Sequence, residues 1–189
     1  MWLADYVSLI IILSAFIWGI VLRRPVGGRF LLSAIIVIVI ILGYTTYQQF
    51  LLWQSNEISK FLLPPHAPAN YFIFYTFTRI WAAYVISFIV GILGYWMISY
   101  FNKRHQGKFF WPEEIYFIAL SLFLAGHPGW ILYLILISSV YSLWLIAYSL
   151  WLKKIERVSF YYLWLPLAAA TIFFDVWLQQ FGWYSNLIV

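Results

Sequence analysis

Long apolar runs with a cluster of basic residues at every second gap dominate this chain, and that pattern leaves few folds open. Nine of the eleven lysines and arginines fall in three short segments, Arg23-Arg24-Pro25-Val26-Gly27-Gly28-Arg29, Lys103-Arg104-His105-Gln106-Gly107-Lys108 and Lys153-Lys154-Ile155-Glu156-Arg157. Cytoplasmic loops of membrane proteins carry the excess of Lys and Arg, so these segments are expected on one side of a bilayer, with six crossings strung between them. Hydrocarbon offers the backbone no partners, which makes runs of this length helices. The expected fold class is all-α: a polytopic integral membrane protein of six transmembrane helices, with the N-terminus and C-terminus both outside.

Composition agrees by a separate route. With 65% hydrophobic and 9% charged residues and a mean hydropathy of +0.89, there is too little polar surface to coat a soluble globule. The 189 residues provide for a single transmembrane bundle, 1–189, with short loops. The absence of Cys removes disulfides, thiolate metal sites and cysteine nucleophiles. A net charge of +5 reflects the basic loops and gives no indication of nucleic-acid binding.

A hydrocarbon core of roughly 30 Å takes about 20 helical residues. Measured against it, the runs predict helices at about 6–22, 30–53, 71–101, 109–125, 129–152 and 159–178. The first run has no basic residue ahead of it and reads as a retained helix, not a cleaved signal peptide. Trp2, Tyr6, Trp53, Tyr71, Trp111, Trp130, Trp151, Trp183 and Tyr184 sit at the boundaries, where amphipathic rings satisfy both phases. The outer segment 54–70 carries Ile58, Phe61 and Leu62 at helical spacing after Asn56, which predicts a short interfacial helix ended by Pro64, Pro65 and Pro68.

Apart from Glu113 and Glu114 in the first turn of helix four, the only charges inside the predicted spans are Arg79 and Asp175, at matching depth. Intramembrane charges cost a few kcal/mol each and usually pair, so an ion pair between helices three and six is expected. Tyr44 to Gln49 on helix two, Thr76 and Thr78 on helix three, and Gln179 and Gln180 after helix six fall at the same level. They predict a pocket opening outward, roofed by 54–70, with His66 and His127 at its rim. The candidate binding residues are thus Gln48, Gln49, Arg79, Asp175, His66 and His127. No metal site is expected, because no HxxxH or HxxE spacing links the histidines.

Pro112-Glu113-Glu114 has the composition of a helix start, proline in first position and carboxylates in the first turn. Gly91, Gly94 and Ala168-Ala169-Ala170 permit close helix contacts, and Pro166 is expected to kink helix six. No phosphate loop, Ser-His-Asp set or dinucleotide fingerprint is present, so no catalytic residue and no cofactor is assigned.

From Gly94-Tyr95-Trp96 onward the chain resembles the C-terminal half of the type IV prepilin peptidases, intramembrane aspartic proteases. The resemblance rests on the basic loop 103–108, on Leu122-Phe123-Leu124-Ala125-Gly126-His127-Pro128-Gly129-Trp130, and on Lys153 to Phe160. Where that family has GxGD, this chain has Trp111-Pro112-Glu113-Glu114, and the nearest equivalent of the first catalytic Asp is Glu57 before Leu63-Pro64. The charge pattern puts Glu57 and Glu113 on opposite sides of the bilayer, roughly 30 Å apart, whereas an aspartic dyad shares a proton at contact distance. The resemblance implies a relative in fold without the peptidase chemistry.

Three functional classes follow, in order. The first is a non-catalytic integral subunit or assembly factor of a larger membrane complex, with the lipid bilayer and other membrane subunits as partners. The second is a carrier or substrate-binding component using the outward pocket, and the third a divergent prepilin-peptidase-like enzyme. All three are expected in the cell membrane.

Overall fold

The computed structural model describes residues 3–22, 26–107, 110–152, 162–181 and 184. Among these the chain is helical throughout, without a strand. Helix α1 runs Leu3–Phe16 and continues through a π turn, Ile17–Val21; α2 is Gly28–Ser55. Helix α3 is Ala69–Arg104, with a π turn at Phe77–Trp81; α4 is Pro112–Leu124, α5 Gly129–Leu152 and α6 Trp164–Leu178. Six helices therefore fit the apolar runs, and three of them, in α2, α3 and α5, are long and apolar enough to cross a membrane. Arg23, Arg24, Lys108, Lys153, Lys154, Arg157, Trp2, Trp183 and the expected start of the last helix at 159–161 lie outside the described residues.

Helix α4 is the axis of the bundle. Ten of its 13 residues, Glu114, Ile115 and Phe117–Leu124, are buried, so here the neighbouring helices cover an all-round apolar helix. It is shorter than the expected 109–125 because Pro112 takes the first helical position and Gly126, at φ +68°, closes the far end in the left-handed region. Antiparallel to it runs α3, in one register: Tyr84 and Phe88 meet Phe123, Tyr95 meets Tyr116, and Asn102 meets Phe110. Gly91 makes the approach possible, since a Cβ there would lie 3.1 Å from the Ala119 carbonyl oxygen. Close backbone approach at a small residue lets two apolar helices pack in this way.

The ends of this hairpin are fixed by polar side chains. Asn102 receives the Phe110 N–H at 3.1 Å and donates to the Phe110 carbonyl at 3.0 Å. Glu114, 2% exposed, accepts the Trp111 N–H at 2.8 Å while its own N–H reaches the Trp111 carbonyl. Each contact satisfies a backbone group that the helix end leaves open. Gly28 lies beside Tyr116, so Arg29, Lys103 and Arg104 share one end of the bundle, here termed the basic end.

The other helices pack around α4 unequally. Helix α1 puts Gly19 against Phe117, and α6 brings the Trp164 carbonyl to the Ser121 and Tyr133 hydroxyls, both at 3.4 Å. Helix α2 buries only Ala34, Ile38 and Leu42. Helix α5 packs through its first half, where Gly129, Tyr133 and Ile137 are buried, while no residue from Ser138 to Ala147 is. In the segment 54–70, Asn56 Oδ1 accepts the N–H groups of Ile58 and Ser59 and opens a single 3₁₀ turn, Ser59–Leu62. Ile58 and Phe61 are exposed there, and Leu63 is buried.

Candidate functional site

The buried face of α3 carries Thr76, Ile80, Tyr84, Ser87 and Gly91, at intervals of three and four residues. Arg79 lies one residue, about 100°, off that stripe, and its side chain is exposed. On α6 the buried residues Leu165, Ala168, Thr171 and Ile172 continue in phase to Asp175, which is half-buried and faces the bundle. The expected ion pair is therefore not made: helix phase turns one partner outward and the other inward.

Asp175 has partners of another kind. Its Oδ1 accepts the Tyr184 hydroxyl and its Oδ2 accepts the Gln179 amide at 2.7 Å. A Cβ on Gly129 would sit 3.6 Å from Oδ1, so this glycine lets the start of α5 lie against the carboxylate. His127 lies in the same turn, two residues before Gly129, and its Nδ1 accepts the Trp130 Nε1–H at 3.1 Å, placing any ring proton of the neutral form on Nε2. Tyr84 lies within the field of Asp5 and Asp175, with its hydroxyl 3.3 Å from that of Ser8. Groups from α1, α3, the α4–α5 turn, α6 and the segment after it thus converge at one end of the bundle.

Tyr184, beyond α6, is buried. Burial first, and then the Asp175 carboxylate, push its phenol above the ordinary 10.0, so it is a proton donor at neutral pH. The arrangement can hold a carboxylate against two donors and tie the chain after α6 to the α4–α5 turn. No set of three or more His, Cys, Asp or Glu side chains able to hold a metal occurs among the described residues.

Of the expected binding residues, only Asp175 and His127 come together. Gln48 borders a shallow concavity with Leu51, Leu52, Gln54 and Ser55, and Gln49 is half-buried elsewhere on α2. His66 is exposed and packs edge-on against Phe61. The threonines of the polar level bond to their own helices: Thr45 to Ile41, Thr46 to Leu42, Thr76 to Phe72 and Thr78 to Phe74. Short hydroxyl side chains satisfy themselves this way in helices, so a polar sequence level does not become a pocket. Tyr184, Tyr84 and Ser8 carry no site signal in the sequence, because a ring or hydroxyl there reads equally as boundary or core. Phase with Thr76, Ile80 and Gly91 on α3 is the signal that marks Tyr84 as facing the bundle.

Glu57 is exposed in the turn after α2, and Glu114 is engaged in the α4 cap. Comparison of the chain with protein-family models, curated proteins and solved structures finds no match.

Proposed function

We propose that the protein is a non-catalytic integral subunit of a membrane assembly, docking on neighbouring membrane helices through α5. The observation that carries this reading is the exposure of the second half of α5: from Ser138 to Ala147 no side chain is buried, although the helix belongs to a bundle with a well-packed axis. Ser138 and Ser142 lie one turn apart on its exposed side, their hydroxyls bonded to the Leu134 and Ser138 carbonyls. Small residues at this spacing let a second helix approach closely, which is how helices associate in lipid. The convergent groups around Asp175 use their donors and acceptors on one another, as a structural tie requires.

The same reading places six crossings in the cell membrane, with the basic end cytoplasmic. Helix α4 spans about 20 Å by itself at 1.5 Å per residue, yet its contacts with α3 run from Tyr84 to Asn102, about 27 Å along that helix. A short segment shielded from lipid by its neighbours can complete a crossing with extended residues at its ends. The likeness to prepilin peptidases then stands for kinship of fold, with Glu114 serving as a cap.

A photo-reactive residue at position 138 or 142, activated in native membranes, tests the docking. Discrete protein adducts are expected at both positions, well above those from Ile40, an exposed control on α2. Lipid adducts alone, equal at all three positions, would contradict it.

A further inference from the structure

Two narrow cavities run end to end along the seam between α2 and α3, and α4 floors both. Each has a volume of about 130 Å³, and they share Ile35, Phe88 and Phe123. The first extends past Gly91 to Tyr95 and Tyr116, the second past Ile38 to Trp81. The seam exists because α2 and α3 touch directly toward one end: Trp81 Nε1 donates to Thr46 Oγ1 at 2.9 Å, and Trp53 packs on Phe72 and Tyr75. Toward the basic end Leu31 and Ile35 of α2 stand across the gap from Ile92 and Tyr95 of α3.

Size and polarity select the occupant. From Trp81 to Tyr95 the seam is about 21 Å long at 1.5 Å per residue, while a helix is about 10–12 Å across and cannot enter it. Water would find almost none of the two to four polar partners it needs on these walls. A single alkyl chain fits both the length and the lining. The open end carries charge. Rings of Tyr95 and Tyr116, 5.5 Å apart, stand at the mouth, and a Cβ on Gly28 would lie 3.9 Å from the Tyr116 ring, with the exposed Arg29 next in sequence. Lys103, also exposed, follows Ile92 and Tyr95 along the same stripe of α3. Cations at the end of an apolar slot complement an anionic head group attached to a hydrocarbon tail.

We propose that the α2–α3 seam is a binding site for one acyl chain of an anionic phospholipid, whose phosphate is held at the basic end by Arg29 and Lys103. This assignment is independent of the docking role of α5.

The test is native mass spectrometry of the detergent-purified protein loaded with phosphatidylglycerol or phosphatidylcholine of identical acyl chains. Retained phosphatidylglycerol is expected to exceed phosphatidylcholine by roughly fivefold per engaged basic residue. The Arg29→Gln/Lys103→Gln variant should keep lipid but lose that preference. Ile92→Trp, which fills the seam from its rim, should lose the retained lipid while staying monodisperse. Should Ile92→Trp misfold, the wild-type preference and its loss in the charge variant decide the matter. Equal retention of the two lipids by the wild type, or undiminished retention in a folded Ile92→Trp, would overturn the proposal.

Discussion

Asp175 accepts hydrogen bonds from Gln179 and Tyr184, four and nine residues further along its own chain, while Arg79 lies exposed on another helix. A double-mutant cycle separates these relations. Asp175→Asn combined with Tyr184→Phe should show a coupling of about 1.5–3 kcal/mol, the range for a hydrogen bond to a charged group. Asp175→Asn combined with Arg79→Gln should be additive within about 0.5 kcal/mol. The Tyr184 contribution has a definite pH dependence. Its phenol is raised above 10.0 in the folded state, so the unfolded chain ionises first; the contribution is full below about pH 10 and falls as pH rises beyond it. Stability measured in detergent at neutral and strongly alkaline pH, wild type against Tyr184→Phe, checks the sign. At this scale the sequence shows that Asp175 faces inward, through its phase with Leu165, Ala168 and Ile172. The same test applied to Arg79 separates it from Ile80 and Tyr84, whereas matching depth alone does not. That Tyr184 returns to Asp175 is tertiary information with no local signal.

Among the elements, the α3–α4 hairpin depends on small residues and capping groups in register. Gly91→Ala would place its Cβ 3.1 Å from the Ala119 carbonyl oxygen, a backbone atom with nowhere to go. A loss of about 1–3 kcal/mol is expected, as for other overpacked sites. Gly43→Ala, on α2, meets nothing within 4 Å and should be neutral or stabilising by up to about 1 kcal/mol. Thermal unfolding of the two variants in the same detergent is the comparison; equal losses would contradict the hairpin geometry. Much of this level was legible. Pro112-Glu113-Glu114 marked the start of α4, and Gly91 with Gly94 marked a close helix approach. The central position of α4 was less so, because an apolar run reads alike whether lipid or protein covers it. Asn102, which ties α3 to Phe110, is indistinguishable in sequence from an ordinary loop-side amide.

Across the whole molecule, lengths and charge have to be consistent with one bilayer. Helix α3, at 36 residues, is about 54 Å long at 1.5 Å per residue, against a hydrocarbon core of roughly 30 Å. Shared between its two ends, the excess leaves Arg79 only about 3 Å below the boundary by the same rise per residue, within reach of the interface for a long side chain that snorkels. An exposed arginine at that position therefore needs no partner within the bundle. Of the five described lysines and arginines, Arg29, Lys103 and Arg104 gather at one end, and Asp175 and Tyr184 lie at the other with the turn that holds His127. Reporter fusions after residues 26, 66, 106, 127 and 155 test the resulting topology most directly. Cytoplasmic signals at 26, 106 and 155 with external signals at 66 and 127 are expected; a cytoplasmic signal at 66, or opposite signals at 66 and 127, would contradict six crossings with the basic segments inside.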